Sequence, residues 1–268
     1  MTNNNPLRSV AAALIDLTYP PCCPLCHRLT GQKADLFKRI EFCKQCEVGL
    51  TSSESQMRYG CRCCGFPMGR LTVDPTQMQL PATRCPQCRD KAFQFDAVIP
   101  LWNYHGLVCD AVVAAKYVHM SALAATLGDR LGIRVAERLV DDCPDWVTFV
   151  PSYFTRQLSR GGVGTATLAH AVAKRLQVPS RQLLKMTRRI AKQAWLDDDA
   201  RVHNVRHAFQ LKTRYAFGRS PDLVNRHILL VDDVYTTGAT ADEVAGVLRE
   251  GGAAKVTIAV VARSVRSG

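Results

Sequence analysis

Four Cys-x-x-Cys pairs stand in the first third of the chain: Cys23-Pro24-Leu25-Cys26, Cys43-Lys44-Gln45-Cys46, Cys61-Arg62-Cys63-Cys64 and Cys85-Pro86-Gln87-Cys88. Two residues between thiolates let one tight turn present both sulfurs to a single tetrahedral ion at about 2.3 Å. A disulfide framework is the other use of such a pattern, and it belongs to chains that carry a secretory leader. The early apolar stretch Val10–Leu17 is short and contains Asp16. It reads as an amphipathic helix within residues 1–18, not as a leader. The pairs therefore predict two structural Zn²⁺ sites, with Cys23, Cys26, Cys43, Cys46, Cys61, Cys64, Cys85 and Cys88 as ligands. The gaps between pairs are 16, 14 and 20 residues and do not distinguish sequential from cross-braced pairing. Sequential pairing needs only local loop closure and is the expectation. Gly65 after Cys64 suits a turn with positive φ, whereas His27 holds the same place after Cys26. Cys22 and Cys63 are expected to be bystanders, with exchange into a site as the alternative for either, and Cys109 and Cys143 small core residues. Long apolar runs are few between Cys22 and Arg89, so the metal is expected to hold the double ribbon of residues 19–94 together.

The chain has 268 residues, 47 % of them hydrophobic, enough for a sizeable core and too apolar for a disordered protein. No uncharged apolar run approaches the roughly 18–20 residues of a membrane span, so no membrane insertion and a cytoplasmic location are expected. The formal charge of +12 is concentrated. Residues 156–219 hold 14 Lys+Arg and 3 Asp+Glu, a net of +11. Two Zn²⁺ sites of four thiolates each would bring the whole chain to about +8. A basic segment in near-neutral surroundings predicts an anionic partner, phosphate or nucleic acid, or else a solvated face.

Beyond Arg89 the pattern changes to alternating strands and helices. Val98–Tyr104, Trp146–Val150, His227–Val231 and Val256–Val261 read as strands. Helices are expected near Val108–Lys116 and over Ala122–Leu139, Thr165–Leu176 and Ala239–Arg249. Uninterrupted apolar strands between helices predict an α/β domain over 95–268, a parallel sheet covered on both faces with ligands at the carboxyl ends of its strands. There the sequence runs Ile228-Leu-Leu-Val-Asp232-Asp233-Val-Tyr-Thr236-Thr237-Gly238-Ala239-Thr240. Two carboxylates are expected just past the strand. The following turn offers backbone N–H groups and hydroxyls at the positive end of a helix, an anion pocket. A phosphate site beside paired acids fits a phosphorylated ribose.

This segment resembles the phosphoribosyl pyrophosphate (PRPP) signature of type I phosphoribosyltransferases. With the CxxC-rich front and Asn204-Val-Arg-His-Ala-Phe209, the chain resembles the ComF/GntX family, associated with competence and DNA uptake. The likeness runs from about Leu14 to Arg263. It implies a type I phosphoribosyltransferase fold after a Cys₄ zinc-ribbon domain. It further implies Asp232 and Asp233 on the ribose hydroxyls as the catalytic acids. Thr236, Thr237, Gly238, Ala239 and Thr240 would hold the 5′-phosphate, and Mg²⁺ would arrive with PRPP. Arg156 and Arg160, with Lys116, are the pyrophosphate contacts it suggests, and 193–204 is the lid. Two stretches depart from the family pattern. Gly162-Val163-Gly164 stands where Phe-Asn-Gln is usual, and Asp197-Asp198-Asp199 where the lid is usually basic and hydroxyl-bearing.

Two functions are compatible with these residues. One is a glycosyl transferase that moves phosphoribose from Mg²⁺·PRPP to an acceptor. The other is a non-catalytic PRPP sensor or single-stranded-DNA-binding factor, partnered with DNA-uptake proteins.

Overall fold

The computed structural model describes residues 20, 22–30, 42–52, 54–68, 84–151, 164–188, 204–212 and 221–265. The expected N-terminal helix, Arg156, Arg160 and residues 193–203 of the expected lid lie outside them. The elements in chain order are helices α1 (Lys44–Thr51) and α2 (Glu54–Arg58), strand β1 (Ala97–Asn103), and helices α3 (Leu107–Ala114) and α4 (Ser121–Arg138). Strand β2 (Trp146–Phe149), helix α5 (Gly164–Leu176), and strands β3 (Leu184–Met186), β4 (Phe209–Leu211) and β5 (His227–Tyr235) follow. Helix α6 (Ala239–Glu250) and strand β6 (Lys255–Arg263) complete the set.

The main sheet is parallel, in the order β1-β6-β5-β2. Its central strands are apolar on both faces because both are covered. Leu229 and Val231 of β5 face a core built with Leu123, Leu127, Leu131 and Val135 of α4 and with Leu168 and Val172 of α5. Ile228 and Leu230 face the other core, with Val244, Ala245 and Leu248 of α6. Burying each such Leu or Val contributes about 1.5–3 kcal/mol. A small antiparallel pair, β3 with β4, lies beside α6.

Two expectations are corrected. The strand carrying the acidic pair does not stop at Val231. Its pairing with β6 continues through Asp232↔Val260, Val234↔Ala262 and Tyr235↔Arg263, so both acids sit inside β5. Cys23, Cys46 and Leu50 belong to the main core, alongside Leu101 and Trp102 of β1. Finally, Cys143 is exposed and Cys109 only half-buried, so neither is a core residue.

Among the described residues no single helix is long and apolar enough to cross a membrane.

Candidate functional site

The front of the chain uses one local device twice. In the first knuckle the Cys23 N–H donates to Arg28 O at 2.8 Å, and the His27 N–H to Cys23 O at 2.9 Å. In the second the Cys61 N–H donates to Phe66 O at 2.7 Å, and the Gly65 N–H to Cys61 O at 2.8 Å. Both turns need a residue at positive φ, and His27 (59°) and Gly65 (66°) supply it. Only Gly fits the second place. A Cβ on Gly65 would lie 2.9 Å from Pro100 of β1, against which this knuckle docks.

The sulfurs come together in the sequential arrangement. Cys23, Cys26, Cys43 and Cys46 form one group, and Cys61, Cys64, Cys85 and Cys88 the other, each with its sulfurs within 4.8 Å of one another. Four sulfurs about 2.3 Å from one ion form a tetrahedron with edges of about 3.8 Å. The Cys26–Cys43, Cys61–Cys88 and Cys64–Cys85 separations of 3.6, 3.6 and 3.4 Å are near that edge. All-thiolate sets of this shape fit Zn²⁺ as a closed structural site. Cys43 caps α1 and Cys46 sits in its first turn, where the helix dipole favours thiolate. Within each group the thiols pull apart. In the second, the Cys64 thiol holds Cys61 down to about 4 against the opposing effect of burial. Cys64 itself is pushed up by Cys61 and by burial, with the Arg263 guanidinium pulling the other way.

At the carboxyl end of the same sheet, where Arg263 of β6 meets Cys64, β5 delivers its two acids. The Asp233 N–H donates to the Asp232 carboxylate at 2.8 Å. Lys116, which follows α3, places Nζ 2.8 Å from Asp233 Oδ2, with both side chains partly buried. Burial first, and then the Asp233 carboxylate, push Asp232 up to about 8, against the lowering effect of its bond to the Asp233 N–H and of Lys116. Lys116, 117 residues away in sequence, thus belongs to the acid site.

The turn after β5 changes direction at Gly238, whose φ of 90° precedes the first residue of α6. The Tyr235 ring folds back under it, and a Cβ on Gly238 would come within 2.3 Å of Tyr235 Oη. Thr236 is exposed, Thr237 and Ala239 half-buried, and Thr240 is the second residue of α6. The Ala239 N–H points to Thr237 Oγ1 at 3.4 Å.

This turn is one wall of a cleft of about 590 Å³, and the second Cys group is the other. Gln87, Lys91 and Phe93 face Thr236, Thr237 and Ser264 across it, with Asp242 of α6 at its edge. Phe93 stacks on Phe95 with centroids 4.6 Å apart, and Asp242 fixes this segment by accepting the Gln94 N–H at 2.6 Å. Sequence reasoning missed Phe93, Asp242, Tyr235 and Arg263. Of these only Arg263 carried a signal, as the charged end of an apolar strand.

The phosphoribosyl transferase domain family matches residues 160–267. DNA utilization protein YhgH of Escherichia coli (strain K12) is 27 % identical over 209 residues, 76 % of this chain and 84 % of that protein. Its Salmonella typhi counterpart is 27 % identical over 253 residues, 93 % of this chain and all of that one. Competence protein F of Haemophilus influenzae is 25 % identical over 193 residues, covering 70 % and 82 %. Among solved structures, the B. subtilis glutamine PRPP amidotransferase has a TM-score of 0.34 at 19 % identity over 52 % of this chain, which spans only 26 % of that one. The purine phosphoribosyltransferase of Pyrococcus horikoshii has a TM-score of 0.31 at 21 % identity over 51 % of this chain and 73 % of its own.

The parallel sheet, the matched domain and the two tetra-Cys groups define a type I phosphoribosyltransferase fold preceded by a Cys-rich region compatible with zinc ribbons. Homology to YhgH and competence protein F at 25–27 % identity over most of the chain supports a ComF-family assignment.

Proposed function

We propose that the chain binds Mg²⁺·PRPP at the carboxyl end of β5 and transfers its phosphoribosyl group to an acceptor seated in the cleft against the second Cys group. The observation that carries this reading is the adjacency, on one strand end, of the acid pair and the glycine-bent turn at the start of α6. Thr236 to Thr240 hold the 5′-phosphate, where N–H groups and hydroxyls meet the positive helix end. Asp232 and Asp233 bind the ribose hydroxyls. As the C1–O bond breaks, its electron pair leaves with pyrophosphate, positive charge develops on the ribose, and the two carboxylates stabilise it. The acceptor's lone pair then forms the new bond to C1. Mg²⁺, which arrives with the substrate, neutralises pyrophosphate charge. Lys116 sits beside the acids, ready to meet pyrophosphate oxygens, and Arg156 and Arg160 are assigned the same partner from the sequence. The cleft has the volume of a small-molecule site, more than one phosphate group occupies.

Incubation with Mg²⁺·PRPP and a panel of nitrogen nucleophiles, followed by pyrophosphate assay, tests this reading. Acceptor-dependent release is expected, and it is expected to be lost in the Asp232→Asn, Asp233→Asn double variant. Release that persists in that variant rules the reading out.

A second reading, a DNA-binding factor of DNA uptake, is favoured by the net +11 of residues 156–219 and by the names of the relatives. It predicts single-stranded-DNA affinity that falls steeply as salt rises. A flat salt response removes it.

A further inference from the structure

Arg263 ends β6 with only 4 % of its surface exposed. Its guanidinium lies between two rings, 5.3 Å from the centroid of Phe66 in the second knuckle and 5.1 Å from that of Tyr235. Nε donates to Cys64 O at 2.7 Å, Nη1 to Ser264 O at 2.8 Å and Nη2 to Cys64 Sγ at 3.6 Å. Among the described residues no carboxylate pairs with it. A buried guanidinium without a counter-charge is strongly unfavourable. Four thiolates around a divalent ion carry a net charge of −2, and Cys64 is one of the four. The contact continues on the other side: Tyr235 lies over Arg263 and directly beneath Gly238.

We propose that Arg263 is the counter-ion of the second Cys₄ metal centre and, through Tyr235, a positioning residue for the Thr236–Thr240 turn, so that the turn keeps its shape only while that centre is loaded. Arg263 is the charged link, and the Cys64 carbonyl and sulfur on one side and the Tyr235 ring on the other are its fixed points. Loss of the ion removes the closed four-sulfur centre that fixes Cys64 against the guanidinium and supplies its counter-charge. The least costly relief is for the end of β6 to move outward, which withdraws support from Tyr235 and from Gly238. This rests on the conformation of the turn and not on what the turn binds, so its test needs no ligand.

Amide hydrogen exchange on the full-length, zinc-loaded protein reads the turn directly. Cys88→Ser, which removes a ligand of the second centre, is expected to speed exchange over residues 235–240 about tenfold, while the core of α4 stays protected. Cys26→Ser, in the first centre, is expected to leave the turn unchanged. Arg263→Met should reproduce the Cys88→Ser effect, and the two together should add nothing further, as groups acting through one contact do. Arg263→Met should also hasten release of one of the two zinc ions to a chelator and not the other. Arg263→Lys, which keeps the charge, should recover part of both properties, and it carries the same cycle with a smaller effect if the Met variant does not fold. Unchanged exchange in Cys88→Ser, or additive effects of the two substitutions, overturns the proposal.

Discussion

Lys116 Nζ stands 2.8 Å from Asp233 Oδ2, joining the end of α3 to the acid pair inside β5. Negative charge on the acid pair repels a polyanionic ligand, and Lys116 offsets it. Lys116→Met is expected to weaken PRPP binding about tenfold, the loss of roughly 1.4 kcal/mol that one charge-assisted contact is worth. Asp232 should rise further in the same variant, because Lys116 is among the groups that hold it down. Calorimetric titration and an NMR pH titration of the carboxyl carbons check the two effects.

The acid pair also predicts a pH signature. Asp232 is pushed up to about 8 by burial and by Asp233, so the folded protein keeps a proton that the unfolded chain gives up near pH 3.9. The native state then binds more protons than the unfolded one between about pH 4 and 8, so this group's contribution to stability falls across that window and is level above it. Urea unfolding of wild type and Asp232→Asn at pH 5, 7, 8 and 9 isolates this contribution. Wild type is expected to lose stability relative to the variant from pH 5 to 7, and to change little from 8 to 9.

Gly238 is placed where only glycine fits, with φ of 90° and Tyr235 Oη against its missing Cβ. Gly238→Ala should cost about 1–3 kcal/mol of backbone strain, with a melting temperature lower by about 2–4 °C per kcal/mol. PRPP affinity should fall by a larger factor than this loss of stability explains, because the strain sits in the turn itself. Thermal melts and titrations on the same samples separate the two.

The Cys groups predict two zinc ions per chain, lost as acid protonates the thiolates. Cys46→Ser and Cys85→Ser should each remove one. The first should lower global stability more, since Cys46 is part of the main core whereas Cys85 lies in a small satellite cluster. Cys63→Ser should retain both ions. Metal content by atomic emission and denaturant melts decide these points.

Much of this architecture was legible before any coordinates because its signals are local. The apolar run Ile228–Val231, the Thr-Thr-Gly turn and the CxxC spacing each constrain a few consecutive residues. Local propensity placed the end of β5 too early. Asp232 and Asp233 read as strand breakers, and the ladder to Val260 and Ala262 overrides them. The relationships that complete the site lie between distant residues: Lys116 with Asp233, Arg263 with Cys64 across 199 positions, and Gln94 with Asp242. Such contacts leave no periodicity to read. Likewise, the first knuckle's place in the main core depends on where α1 packs, which its short sequence does not encode.

The central claim is that the end of β5 grips an activated pentose. Titration of the intact protein with PRPP in the presence of Mg²⁺ tests it most directly. The account predicts saturable binding of about one PRPP per chain, abolished when Asp232 and Asp233 are both changed to Asn. Absence of binding in the wild type, or equal binding by the double variant, contradicts it.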